Sequence, residues 1–439
     1  MTIRNIEKLF DLSRPAMQTI IKKFQSDMKA GLSGNKSSLK MIPTYVEMPT
    51  GCERGRFIAL DLGGTNFRVL ELTLEGSHKV SAPRIMKFAL EKKHINGTAE
   101  VFFDFIADSV KTFIKKYKIS GAAELDLGFT FSFPIKQTGI ASGILICWNK
   151  GFKARGVVGN DVVKLMKEAF IRKGVGNIKI SALVNDTVGT LVARAYEDAL
   201  CDVGVIIGTG TNACYPEKLA CIKKWKGAKN KSRHMIINIE WGNFDKLALT
   251  QFDRYLDKTS ENPGRQMLEK MVSGMYLGRI AGLILKDMAR EGVLSCGCDS
   301  LFRKGESFET EYMSVIEGDN TDSLKLTAGL LKKMGLSGVS LNDRKTIKEI
   351  CSIVSLRAAR ISASCITAII TKIDPDVSGR HAIAIDGSVF EKHPTFADNM
   401  KKTLKDLLGK RSSRIKLVLA KDGSGKGAAI IAAVAAAAG

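Results

Sequence analysis

Apolar positions recur every three or four residues through the first 40: Ile6, Leu9 and Phe10, then Met17, Ile20, Ile21, Phe24 and Met28. That spacing predicts two amphipathic helices docked on the chain's own core. Pro15 falls in the first turn of the second, where a missing N–H is harmless, and G-L-S-G-N-K at 31–36 ends it. From Pro43 the period shortens to that of strands, with a hairpin over 57–74 and a strand over 85–90. A helix over 100–116 presents Phe102, Phe103, Phe105, Ile106 and Phe113 as core contacts. Residues 124–133 alternate as a strand ending in Ser132-Phe133-Pro134, and an apolar run at 144–148 leads into W-N-K-G-F. Next come a helix over 161–172, a buried strand over 178–184 that stops at Asn185-Asp186-Thr187, and a helix over 188–196. Further strands are predicted at 203–207, 235–239, 381–385 and 415–420, with helices over 265–290, 323–333 and 343–372. An Ala-rich helix follows the last strand. Strands that end in small or polar turns before helices predict mixed α/β domains.

The stretch R-F-I-A-L-D-L-G-G-T-N-F-R-V-L at 56–70 carries the first sign of chemistry. Asp61 interrupts an apolar strand, and Gly63-Gly64 permit a tight reversal and close approach of backbone N–H groups to an anion. Thr65, Asn66 and Arg68 add a hydroxyl, an amide and a cation. On its own the stretch suits an ordinary Gly-Gly hairpin as well as a phosphate clamp with a carboxylate facing a divalent metal. The pattern returns at 203–212, where an apolar strand precedes Gly208-Thr209-Gly210-Thr211-Asn212. Gly64-Thr65-Asn66 then overlies Gly210-Thr211-Asn212, and Asp61 falls opposite Ile207, so only the first hairpin carries the carboxylate. Three matched residues are thin support for a duplication.

Composition adds limits rather than identity. A chain of 439 residues suffices for two domains. The formal net charge of +22 raises nucleic acid or anionic membrane as partners. The Lys and Arg, however, are scattered in short clusters, the densest at 223–233, which reads as an exposed loop. Of nine cysteines only Cys296 and Cys298 lie close together, and no matching pair completes a zinc site; a reducing cytosol is expected. No apolar signal core opens the chain, and the terminal Ala run is too short and weakly apolar for a bilayer, so the expectation is a soluble protein.

Several polar residues sit where strands end. Asp186 reads either as a helix N-cap or as a base facing a substrate hydroxyl. A carboxylate of pKa ~4 is a poor base for an alcohol. It becomes adequate beside a phosphate donor, because phosphoryl transfer runs through a loose transition state in which positioning dominates. Glu240 adjoins Trp241 at another strand end, while Glu269, nearly two turns beyond Pro263, reads by itself as solvated surface. With Ser132, Asn149, Lys150, Asn185 and Asn212 they form a set able to match the hydroxyls of a sugar. G-S-G-K-G at 423–427 is not a P-loop, since Ala420 and Gly427 stand where glycine and Ser or Thr are needed. It remains a glycine-rich turn at a helix N-terminus, suited to part of a nucleotide or to plain capping.

Taken together, L-D-L-G-G-T-N-F-R-V, F-T-F-S-F-P, W-N-K-G-F, V-N-D-T-V-G-T, G-T-G-T-N-A-C-Y, I-N-I-E-W-G-N-F, N-P-G-R-Q-M-L-E-K, D-G-S-V-F-E-K-H-P and D-G-S-G-K-G-A-A resemble the hexokinases, in that family's order and over nearly the whole chain. The resemblance implies an α/β fold of two actin-like (ribonuclease H-like) domains flanking a cleft that closes on sugar. The small domain would comprise 44–187 plus 419–439, and the large one 1–43 plus 188–418. It implies ATP-dependent phosphorylation of a hexose, glucose first, at the 6-hydroxyl, the opening step of glycolysis in the cytoplasm. Asp186 would be the base, with Ser132, Asn149, Lys150, Asn185, Asn212, Glu240 and Glu269 on the sugar. Asp61 would face Mg²⁺ through water; Gly63, Gly64, Thr65, Asn66, Arg68, Gly208 and Thr209 would hold phosphates; Gly387, Ser388 and Ser424 would lie near the nucleoside. The implied partners are small molecules, without nucleic acid or membrane, and oligomeric state stays open. The family usually has Thr where Asn149 stands and Glu where Arg279 stands.

Overall fold

The computed structural model describes residues 2–63, 66–119, 124–148, 151–227, 233–295, 308–336 and 338–438. Its strands are β1 (Ile42–Pro43), β2 (Arg54–Leu62), β3 (Asn66–Gly76), β4 (Lys79–Val80), β5 (Arg84–Ala89), β6 (Leu125–Phe131), β7 (Ile135–Gly139), β8 (Ser142–Leu145), β9 (Ile178–Val184), β10 (Cys201–Ile207), β11 (Thr211–Lys218), β12 (His234–Asn238), β13 (His381–Asp386) and β14 (Ile415–Leu419). They form two large sheets. One runs β4-β3-β2-β6-β9 with β5 also on β3, the other β1-β12-β11-β10-β13-β14.

The two sheets repeat one plan. In the first, β2 and β3 are an antiparallel hairpin, and β6 and β9 add to β2 in parallel. In the second, β10 and β11 are the hairpin, and β13 and β14 add to β10 in parallel. Each set ends in a helix, Asp186–Glu197 after β9 and Gly423–Ala438 after β14. Parallel strands buried on both faces need continuous apolar runs, and Phe57 to Leu60 and Ile383 to Ile385 supply them. The three-residue echo between the hairpins is therefore the visible end of a whole repeated α/β unit. Both sheets and their helices form the two actin-like domains flanking a cleft.

Each unit has its own core. Phe102, Phe103, Phe113, Phe129 and Phe131 fill the first. In the second, the N-terminal helices Ile3–Phe10 and Arg14–Leu32 pack on the long helix Leu341–Ile373. That long helix is apolar and long enough to cross a membrane, yet 83% of its most apolar window is buried inside the protein. A third apolar cluster joins the units, with Val188, Leu191 and Val192 of one terminal helix against Ala428, Ile431 and Ala432 of the other.

Two predicted elements change. The helix expected over 265–290 is broken into Met267–Val272 and Leu277–Arg290. In the gap the Gly274 N–H donates to the Gly208 carbonyl at 2.7 Å and the Met275 N–H to that of Thr209 at 3.2 Å. The break lends backbone donors to the second hairpin. The glycine-rich stretch 423–427 is not a turn before the last helix but its first turns.

Candidate active site

Polar residues stand at or just beyond the carboxyl ends of strands in both sheets, the usual ligand position in open α/β sheets. Asp61 sits at the end of β2, Ser132 just beyond β6, Asn185 and Asp186 beyond β9, Gly208 and Thr209 beyond β10, Asp386 at the end of β13, and Asp422 and Ser424 beyond β14.

The capping question at Asp186 is settled by its neighbour. Asn185 is the N-cap, in extended conformation, and its Oδ1 accepts from the Thr187 N–H at 3.0 Å. Asp186 is the first helical residue, half-buried, with Oδ1 taking the same N–H at 2.8 Å. The carboxylate keeps Oδ2 as the oxygen outside the cap.

Beside it lies an amide and carboxylate network. Asn212 Nδ2 donates to Asn238 Oδ1 at 2.8 Å and to Glu240 Oε1 at 3.2 Å, and stands 3.5 Å from Asn185 Oδ1. Asn238 Nδ2 also donates to Glu240 Oε1, at 3.1 Å. Glu240 holds a left-handed backbone (φ 57°), a conformation that costs about 1 kcal/mol or more and is retained where the surroundings require it. Glu269 Oε2 accepts the Thr211 N–H at 3.0 Å, so the supposed surface carboxylate is bound into the second hairpin. Lys40, on the segment leading to β1, reaches to 3.7 Å from Glu240 Oε2.

On the other side Asp61 is buried, and both its oxygens are engaged. Oδ2 takes Arg68 Nε at 3.0 Å and also contacts Nη2, while Oδ1 accepts from Ser424 Oγ at 2.9 Å. Arg68, expected to hold phosphate, pairs with Asp61 and with Asp422 instead. Gly387 (φ 122°) fits against the backbone between Ile207 and Gly208; a Cβ there would lie 2.4 Å from the Ile207 carbonyl carbon. Ser388 is exposed at the start of a short helix, Ser388–Lys392.

Asp386 opens the motif D-G-S-V-F-E-K-H-P and ends β13. Burial, with Asp422 and Asp186 adding negative charge, pushes its carboxyl up to about 6, against the pull of the Gly387 N–H and Arg68. The folded protein therefore binds this proton more tightly than the unfolded chain, and it loses stability as pH rises through about 6. Asp386→Asn keeps the acceptor for Gly387 and removes the charge. Without nucleotide or divalent ion, it is expected to raise the melting temperature by roughly 2 °C at pH 8 and by about half as much at pH 5, where the unfolded chain has already lost this proton and the folded protein still holds it. Melting curves at both pH values check this; equal shifts at the two would refute it.

The structure thus links Asn185, Asn212 and Glu240 through side-chain contacts, with Asp186 next to Asn185 in the chain and Glu269 on the second hairpin. Asp61, Arg68 and Ser424 form a second set, Gly208 packs beside Gly387 and Ser388, Thr209 accepts from Met275, and Ser132 and Gly63 stand just beyond their strands. Gly64, Thr65, Asn149 and Lys150 lie outside the described residues, and Asn66 is described by its backbone alone. The flanks of the Asn149-Lys150 pair are pinned, with Trp148 stacked on Phe152 and its Nε1–H donating to Ala154 at 2.8 Å. Reading by residue type missed Lys40, Asn238, Asp386 and Asp422. For the two aspartates a signal existed, since each ends a strand before a glycine as Asp61 nearly does.

Comparisons with known proteins cover both halves of the chain. Two family models, both described as hexokinase, match residues 2–196 and 202–434. The chain is 43% identical over 423 residues to Hexokinase-2 of Oryza sativa subsp. japonica, covering 93% of this chain and 85% of that one. It is 40% identical over 440 residues to Hexokinase-1 of Mus musculus, covering 97% of this chain but 44% of that one, so it spans a little under half of this mammalian relative. The hexokinase of Schistosoma mansoni, solved with glucose, superposes with a TM-score of 0.84 at 36% identity over 98% of each chain. A further hexokinase crystal structure superposes with a TM-score of 0.86 at 31% identity, again over 98% of each. Matched along both halves in sequence and throughout in fold, this chain belongs to the hexokinase family of sugar-phosphorylating enzymes.

Proposed function

We propose that the enzyme transfers the terminal phosphoryl group of ATP to the 6-hydroxyl of a hexose, with D-glucose as the principal substrate. The observation that carries this reading is the position of Asp186. It opens a helix without having to cap it, and it stands between the Asn212–Asn238–Glu240 network and the carboxylates around Arg68. On this reading Ser132, Asn149, Lys150, Asn185, Asn212, Glu240 and Glu269 match the sugar hydroxyls. Each buried amide or carboxylate left unmatched would cost about 1–3 kcal/mol, which favours one hydroxyl pattern. Asp186 accepts the proton of the attacking hydroxyl late in the transfer, as a loose transition state allows.

Gly63, Gly64, Thr65, Asn66, Arg68, Gly208 and Thr209 would receive the phosphates, with Gly387, Ser388 and Ser424 toward the nucleoside. The residues fit a divalent ion of the Mg²⁺ type. The negative charge felt at Asp386 gives such an ion something to offset. Bound Mg²⁺ would neutralise charge on the β- and γ-phosphates, with Asp61 as the residue facing it through water. The domain division at 44–187 plus 419–439 is supported by the helix Gly423–Ala438 lying against β2, β6 and β9 while Asp186–Glu197 lies against β10. Closure of the two domains would exclude water and limit ATP hydrolysis. A place at the opening of glycolysis in the cytoplasm completes the reading.

The test is ADP release by the purified full chain with ATP, Mg²⁺ and a panel of hexoses, followed by assay of the product as a 6-phosphate. Release without dependence on any hexose would overturn the proposal. Asp61→Ala is expected to raise the KM for Mg·ATP about tenfold, roughly 1.4 kcal/mol, while the sugar Kd measured without nucleotide stays within twofold. An equal loss in both would place Asp61 elsewhere in the mechanism.

A further inference from the structure

Glu269 is followed at once by a lysine that faces the other way. Lys270 is almost fully buried, 2% exposed, an unusual place for an ammonium unless it is paired. Its Nζ donates to Asp257 Oδ1 at 2.6 Å and to the Asn262 carbonyl at 2.8 Å. The same Asp257 carboxylate accepts the Gly264 N–H at 3.0 and 3.1 Å. One buried cation thus ties the end of the helix Gln251–Thr259 to the loop 260–266 and to the helix that bears Glu269.

That helix needs a tether. Met267–Val272 is six residues long, too short to persist on its own, and it starts from Gln266 in a left-handed conformation (φ 56°). Its other contacts run to the segment that follows Glu240. The Leu268 N–H donates to the Phe244 carbonyl at 3.2 Å, and Gln266 Oε1 occupies the space in front of Gly242, where a Cβ would meet it at 2.5 Å. Gly242 lies two residues after Glu240. The loop 260–266 and the short helix therefore set the spacing between Glu240 and Glu269, and Lys270 is the charged pin that holds them.

We infer that Lys270 is a positioning residue for sugar recognition: without touching the sugar, it holds Glu269 against the Thr211 N–H and in register with Glu240. This rests on the proposed role of Glu269 in sugar binding. Removing the ammonium leaves the Asp257 carboxylate uncompensated and frees the Asn262 carbonyl, so the loop loosens on the sugar side of the cleft. The elements around Asp61, Arg68 and Ser424 share none of these bonds.

The experiment compares Lys270→Met, Asp257→Asn and Glu269→Gln in the full-length enzyme, by steady-state kinetics in both substrates and by direct sugar binding. Lys270→Met is expected to raise the sugar KM and Kd at least tenfold, with kcat reduced less than threefold and the ATP KM within twofold. Asp257→Asn is expected to move the same constants in the same direction by a smaller factor. A uniform fall in kcat with both KM values unchanged would mark a merely structural lysine and overturn the inference. If Lys270→Met does not fold, Asp257→Asn carries the test by the same criteria. Glu269→Gln separates the two ideas. If it leaves the sugar KM unchanged, the sugar-side reading of Glu269 fails; if it raises the KM while Lys270→Met in folded protein does not, the positioning role alone fails.

Discussion

Asp186→Asn is expected to lower kcat by about 10³-fold, within the range for loss of a general base, while the sugar Kd changes less than threefold. The substitution is conservative in structure. The helix start is held by Asn185, whose Oδ1 takes the Thr187 N–H, and an asparagine oxygen at 186 can still accept that N–H as the aspartate does at 2.8 Å. What disappears is the negative charge and the proton acceptor. Because Asp186 adds to the repulsion felt by Asp386, its neutralisation does not weaken the fold through that group. Rapid-quench measurement of phosphoryl transfer, with equilibrium sugar binding on the same preparation, separates chemistry from affinity. A variant that binds sugar and turns over at the native rate would remove Asp186 from the mechanism.

The parts of this site legible in the sequence were those whose signal is local. Strand periodicity located β9 and β10 to within two residues at each end and β2 to within three, and turn chemistry marked Asp61, Asn185, Asp186 and Asn212 at strand ends. What was not legible depends on partners distant in the chain. No helical period predicts a break at 273–276, because the reason for it is a pair of backbone acceptors at Gly208 and Thr209, more than 60 residues earlier. Glu269 looks like surface until its Oε2 meets the Thr211 N–H, and Arg68 looks like a free cation until Asp61 and Asp422 flank it. β1, two residues on the edge of the second sheet, is held by its pairing with β12 and has no periodicity to read. The hairpin echo supports duplication only once the strand order around each copy is known.

The glycines at the C-terminus show the same dependence, and they carry the largest expected effect on stability. Gly427 lies where the helix Gly423–Ala438 crosses Asp186–Glu197. A Cβ on it would stand 1.9 Å from the Gly189 carbonyl oxygen and 2.4 Å from the Gly189 Cα. Both obstacles are helix backbone, which cannot turn aside as a side chain can. Gly427→Ala must therefore separate the two helices that join the apolar cluster between the sheets. Overpacking of a dense core costs typically 1–3 kcal/mol, and a backbone obstacle puts this substitution at about 3 kcal/mol or more. For a chain of 439 residues the melting temperature should fall by roughly 3 °C or more. Catalysis should suffer as well at temperatures where the variant is folded. Gly189 is one turn from Asp186, and Ser424, one turn from Gly427, is the donor to Asp61 at 2.9 Å. Gly329→Ala serves as the control. It sits in the helix Lys325–Lys333 with open space around it, and alanine there should be neutral or stabilise by up to about 1 kcal/mol. Equal melting of Gly427→Ala and the native enzyme would mean that the helices do not touch at this crossing, and the packing that holds Asp186 and Asp61 across the cleft would need a different account.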